Sequence, residues 1–126
     1  MPVMRKRTSA LAVNTKAAAI FNGELHEYLE RPSMVRIYAK GASNAATAIV
    51  NAPKITINLG GSVVANRQEI SAQFGTTAAT VPNAIKPDDL VYEGVAQAGS
   101  RLVVDYDNDT TQAVNIDTIA DIQPIA

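Results

Sequence analysis

The chain has 126 residues, a formal net charge of −1, no cysteine and one histidine, His26. That length suits one domain, and the composition excludes disulfide frameworks, thiolate zinc sites, cysteine nucleophiles and histidine-rich metal centres. Surface scaling gives about 6,400 Å² folded against about 19,000 Å² unfolded, so a core is possible without covalent staples.

Twelve Val, eleven Ile and ten Thr stand against six Leu, which points to strands rather than helices. Charged residues make up 18% of the chain, below the roughly 25% of an average soluble domain. Such a surface suits coverage by a partner. No apolar run approaches the ~18 residues of a membrane span. Charge is uneven along the chain: residues 1–40 carry net +4, residues 41–87 net +2 and residues 88–126 net −7. The two ends either meet different partners or neutralise each other inside one fold.

Residues 1–9 hold Arg5, Lys6 and Arg7 without hydrophobic period and read as a flexible basic arm; residues 10–126 read as the folded domain. Asn14 and Lys16 interrupt the next apolar stretch, which argues against a secretory signal. Residues 10–21 fit helix through Ala17, Ala18 and Ala19, or strand through Val13, Thr15, Ile20 and Phe21. Asn22-Gly23 is a hairpin signal, and residues 24–29 alternate up to Arg31-Pro32 as a strand or a single helical turn. Residues 33–40 form a strand with Val35, Ile37 and Ala39 on one face and Met34, Arg36, Tyr38 and Lys40 on the other. A short strand follows over 45–50. Residues 54–59 alternate with Ile55, Ile57 and Leu59 inward; Gly60-Gly61 turns the chain, and 62–70 returns. Residues 75–87 form a long Thr/Ala/Pro loop of the kind often found at interfaces. Three further strands occupy 89–96, 101–107 and 113–125, the last with a bulge expected near Ile119-Ala120. About eight strands with turns every 8–12 residues, and no βαβ alternation, predict an all-β, single-domain antiparallel sandwich, with jelly roll as the expected topology.

Catalytic templates find no support. There is no Gly-x-Ser-x-Gly elbow. His26 sits in a charged, alternating segment with no marked serine partner. Asp88-Asp89 fit a turn, and Glu24, Glu27 and Glu30 beside Arg31 fit a solvated face. Gly60-Gly61-Ser62 lacks the lysine of a phosphate loop. The chain therefore reads as a non-enzyme without cofactor. The metal candidate is calcium at Asp105, Asp107 and Asp109, carboxylates two apart on one strand face. Thr110 and Ile116 stand where an EF-hand loop needs glycine and glutamate, so a polar hairpin tip is the simpler expectation. Asn108-Asp109-Thr110 is also a formal glycosylation sequon. Arg5, Lys6 and Arg7 could contact a polyanion without reading sequence, or order against a neighbouring subunit.

Four segments carry a resemblance: Tyr28-Leu29-Glu30-Arg31-Pro32-Ser33-Met34-Val35-Arg36-Ile37, Lys54-Ile55-Thr56-Ile57-Asn58-Leu59-Gly60-Gly61, Asp88-Asp89-Leu90-Val91-Tyr92, and Ala98-Gly99-Ser100-Arg101-Leu102-Val103-Val104-Asp105-Tyr106. With the closing run to Pro124, their layout over 25–125 resembles the single jelly-roll structural proteins of bacteriophage virions, whether capsid, minor capsid or decoration subunits. The resemblance implies a basic arm before eight antiparallel strands, homo-oligomeric assembly, contact with other virion proteins, and location in the virion, with the arm facing genome, lipid or a neighbour. The competing expectation is a carbohydrate- or ligand-binding sandwich, calcium-dependent through Asp105, Asp107 and Asp109. Tyr28, Tyr38, Tyr92 and Tyr106 would supply its aromatic contacts. A small nucleic-acid-binding barrel using Arg5, Lys6 and Arg7 is the third.

Overall fold

The computed structural model describes residues 3–24, 27–42, 52–73, 85–110 and 113–125. The strand expected over 45–50, His26 and most of the 75–87 loop lie outside them. The strands are β1 (Val3–Leu11), β2 (Lys16–Ala17), β3 (Ser33–Ala42), β4 (Lys54–Leu59), β5 (Ser62–Glu69), β6 (Ala72–Gln73), β7 (Leu90–Ala96), β8 (Leu102–Asp107) and β9 (Val114–Pro124). A 3-10 turn, Pro87–Asp89, precedes β7.

One sheet runs β1-β9-β3, with β7 and the short β6 both pairing with β3. The other runs β2-β8-β4-β5. Setting β6 aside, eight strands remain. The first pairs with the last, β2 with β8, β3 with β7 and β4 with β5, all antiparallel. That nested pairing is a jelly roll. The sandwich expected from strand spacing is therefore present, in its expected topology.

The core lies between the inner faces. Val35, Ile37 and Ala39 from β3, with Ile116, Ala120 and Ile122 from β9, meet Ile55, Ile57 and Leu59 from β4 and Leu102, Val104 and Tyr106 from β8. Strict alternation places these residues on one side of each strand. The Tyr106 hydroxyl would be orphaned in such a core. It is hydrogen-bonded instead across the sandwich to Thr118 Oγ1 at 2.5 Å. Phe21 and Leu29, on the long connection between β2 and β3, are buried as well. Edge strand β7 contains Gly94, where any Cβ would collide with the Tyr92 ring that already fills the space.

Four expectations change. First, the basic segment is not a flexible arm, and the sandwich begins at Val3 rather than at residue 10. β1 ladders onto β9 from Val3↔Asp121 to Leu11↔Val114, because Met4 and Leu11 enter the core and β9 offers it an acidic neighbour. Second, Asn22-Gly23 does form a turn, with Gly23 at φ +81° and Asn22 N–H donating to Ala19 O. Its flanks do not pair with each other. Lys16 and Ala17 pair with β8, and Tyr28 bridges Arg101. Among the described residues of the 24–29 segment only this isolated bridge forms, while Glu27 and Leu29 are buried and Tyr28 is exposed, as its alternation implied. Third, β9 keeps a constant register with β3 from Ser33↔Pro124 to Ala42↔Asn115, so the irregularity expected near Ile119-Ala120 is absent there. The alternation weakens because Asn115 and Asp117, on the outer face, are buried along with Val114, Ile116 and Thr118 on the inner one. Fourth, of the expected turns, Gly60-Gly61 closes a true hairpin, Leu59↔Ser62, with φ +63° and +85° suiting a type I′ turn. The connections on either side of β8 instead carry the chain from one sheet to the other: β7 and β9 belong to one sheet and β8 to the other.

Candidate functional site

The outer face of the second sheet gathers the three aspartates expected to share a strand face. Asp105 and Asp107 alternate outward from β8, and Asp109 follows just beyond it. Each is matched by a cation. Lys16 Nζ lies 3.8 Å from Asp105 Oδ2, and Ala19 N–H donates to Asp105 Oδ1 at 2.7 Å. Arg67 reaches both Asp107 at 2.9 Å and Asp109 at 2.5 Å. Lys54 Nζ lies 2.8 Å from Asp109 Oδ2. The ammonium and guanidinium beside Asp109 hold its carboxyl below the ordinary range. The calcium candidate is corrected accordingly: the protein's own cations take the lone pairs a Ca²⁺ would need. Among the described residues, no group of three His, Asp or Glu is placed to hold a metal.

Arg67 is reachable because β5 bulges. Its register against β4 shifts twice between Ile55↔Gln68 and Asn58↔Val63, and Arg67 adopts φ +48°. Its N–H then donates to Thr56 Oγ1 at 3.2 Å. Bulges re-aim side chains in this way. Nothing in the sequence marked Arg67 for the role, since a left-handed arginine has no local signature.

The sequon residue Asn108 is fully buried. Its Nδ2 donates to Leu11 O at 2.8 Å, and its Oδ1 accepts from Thr110 N–H at 3.0 Å and Thr110 Oγ1 at 2.6 Å. Asn14 N–H and Thr15 O bond to the Asn108 backbone. The expected polar hairpin tip is a buried corner that fastens the 11–15 segment to β8, and its amide is closed to a glycosylating enzyme.

In β1 the three basic residues do not share a face. Arg5 and Arg7 alternate outward, while Lys6 reaches Glu24 at 3.5 Å on the other side. Arg7 Nη1 contacts Asp117 Oδ2 at 3.3 Å, its register partner on β9. Glu27 is buried and bonded to Arg101 Nε at 2.7 Å and to Gly23 N–H at 3.1 Å. Both bonds favour the carboxylate and lower its pKa. The basic start and acidic end of the sequence therefore neutralise each other within one fold. Asp88 and Asp89 lie in the 3-10 turn, where Asp89 Oδ2 accepts from Lys86 N–H at 2.9 Å. The tyrosines do not gather: Tyr106 is in the core, Tyr28 is exposed beneath Arg101, and Tyr38 and Tyr92 are half-buried on opposite faces.

Of the seven exposed large hydrophobics among the described residues, four lie on β1, β5 and β7: Val3, Val63, Leu90 and Val95; the others are Val13, Tyr28 and Ile125. Those three strands are edges among the described strands. Sequence patterning missed this, because it identifies strands without saying which ones end a sheet. In comparisons with known proteins, no family model, no curated protein and no solved structure matches the chain.

Proposed function

We propose that the chain is a structural, non-enzymatic subunit that associates with copies of itself through its sheet edges, as the capsid or capsid-associated proteins of bacteriophage virions do. The observation that carries the reading is the placement of exposed valine and leucine on β1, β5 and β7. Monomeric sandwiches blunt such edges with charge or cover them. Symmetric assemblies pair them. The nested strand pairing is common to viral shell subunits, lectin domains and cupins, so it fits the reading without selecting it. Other virion proteins would be the remaining partners. Arg5, on the outward face of edge strand β1, and its neighbours Lys6 and Arg7 would contact the adjoining subunit rather than reach out as a tether to nucleic acid or lipid.

Sedimentation and light scattering across a concentration series test the reading. Oligomers that grow with concentration, and rings or shells in negative stain, are expected. Val63→Lys with Val95→Lys should dissociate them. A strict monomer at high concentration in virion-like salt would sink the assembly role.

A further inference from the structure

Among the described strands, β1 and β7 end the first sheet at opposite sides, and their outer faces are complementary. Met4 enters the core, so Val3 and Arg5 on either side of it face outward on β1. On β7, Tyr92 and Ala96 pack toward the core. Glu93 and Val95 therefore face outward, across from Arg36 and Met34 of β3. Val3, Arg5, Glu93 and Val95 are all exposed. β1 carries three bases and no acid. β7 carries one acid and no base, and Asp88-Asp89 precede it.

Two cross-strand rows reach β7 on this face. One runs Asp121, Arg36, Glu93 and alternates in sign; Arg36 Nε donates to Glu93 at 2.9 Å. The other runs Gln123, Met34, Val95. A strand added at β7 continues these rows best with a cation and, two residues away, an apolar side chain. Arg5 and Val3 are such a pair. The sheet also alternates in direction, β1 against β9, β9 against β3 and β3 against β7. A second copy that continues the sheet thus brings its β1 antiparallel to β7. In that orientation, Arg5 opposite Glu93 sets Val3 opposite Val95. It also sets the inward-facing Met4 opposite Gly94, which has no side chain to oppose it. A β1–β1 contact would instead set a strand of three bases against its own copy, and like charges across strands repel.

We propose that β1 of one copy adds to β7 of the next, extending the first sheet head to tail in the register Val3↔Val95 and Arg5↔Glu93. The inference rests on the assembly reading above and names its interface. Each copy uses two different edges, so the contact is heterologous and either closes as a ring or runs on as a filament.

The test places single cysteines in a chain that has none of its own. Val3→Cys and Val95→Cys alter exposed side chains, and directly opposed Cβ atoms lie about 4.5–5.5 Å apart, close to the span of a disulfide. Under mild oxidation each single variant is expected to stay uncrosslinked. An equimolar mixture should give a linked dimer, with the bond mapped between positions 3 and 95, and the double variant a ladder of multimers. Arg5→Glu in the otherwise unaltered chain should weaken association about tenfold, as attraction to Glu93 becomes repulsion. A parent chain that sediments as a monomer at every concentration overturns the assembly reading and this interface with it. The edge assignment alone is overturned if the parent forms oligomers but the mixture does not crosslink. It is equally overturned if single variants crosslink as readily as the mixture, or if Arg5→Glu leaves association unchanged.

Discussion

The two sheets carry aspartates on their outer faces in different electrostatic states. On the second sheet Asp105, Asp107 and Asp109 meet Lys16, Arg67 and Lys54, so each carboxylate has a counter-charge. On the first sheet Asp121 keeps a buried oxygen without a donor among the described residues. The more conspicuous sequence cluster is thus the one whose carboxylates are bonded to cations, whereas the isolated aspartate has Arg36 as an electrostatic neighbour and one buried oxygen that no described residue bonds. An acidic cluster signals a ligand site when its lone pairs are free, and spacing alone does not say whether they are.

The largest expected effect tests how firmly the saturated side is anchored. Asn108→Ala removes the acceptor of Thr110 and the donor to Leu11 O, leaving buried groups unpaired. A loss of about 3 kcal/mol is expected, from about 1–3 kcal/mol per orphaned group. Urea denaturation with an unchanged slope would measure it, and a loss below about 1 kcal/mol would mean the corner relaxes.

Tyr106→Phe should cost about 1 kcal/mol through the lost bond to Thr118. Burial pushes the Tyr106 hydroxyl well above its ordinary pKa. Its contribution is therefore complete below about pH 10 and declines as pH rises above that toward the folded-state value. The phenylalanine variant should lose that part of the alkaline destabilisation in melting curves.

Arg67→Ala leaves Asp107 and Asp109 short of a counter-charge, at a cost of about 0.5–1 kcal/mol for an exposed pair. It also frees carboxylate oxygens. Millimolar Ca²⁺ should then raise the melting temperature of the variant but not of the parent; an equal shift in both would remove the distinction between the sheets.

Arg101→Gln addresses Glu27, whose pKa is lowered mainly by that guanidinium. A lowered folded-state pKa stabilises above the unfolded carboxylate value, and the contribution fades as pH falls through the folded one. The stability gap between parent and variant should be widest at neutral pH and close in acid. A gap independent of pH would assign the effect to packing on Tyr28.

The smallest effect is the most diagnostic. Asp121→Asn should leave stability within about 0.5 kcal/mol of the parent, or raise it, because Oδ1 makes no hydrogen bond among the described residues and Arg36, across from it on β3, keeps its bond to Glu93. Asp107→Asn, which loses Arg67, should destabilise. Calorimetry on the two variants decides it. Similar losses in both would show that Asp121 is as well partnered as the aspartates across the sandwich.

Much of the fold was legible in alternation. Val35, Ile37 and Ala39, or Ile55, Ile57 and Leu59, announce their inner face because side chains on a strand alternate with period two. Gly60-Gly61 announces its hairpin because both positions need positive φ. The 12–31 connection was not legible. It is held by distant partners: Ile20 N–H on Val104 O, Leu29 N–H on Ser100 O, and Phe21 in the core. Asn14 and Ala19 even take positive φ there, against any local preference of alanine. The site was less legible still. Asp121 stood alone in the sequence, and the cleft it lines gathers Val3, Tyr38, Ile119 and residues 85–87 from separate parts of the chain.

By themselves, length, composition and β-branched periodicity determined one all-β domain, its principal strands and their inward faces. These follow from local sterics and from the need to bury one face of each strand. Tertiary structure decided the partners. Of the strand pairings, β4 with β5 is a local hairpin, while β1 with β9, β2 with β8 and β3 with β7 join distant segments. Those distant pairings turned the basic start and acidic end into neighbours and gave each clustered aspartate a cation. Charge pairing depends on distance in space, which the order of residues along a chain does not contain.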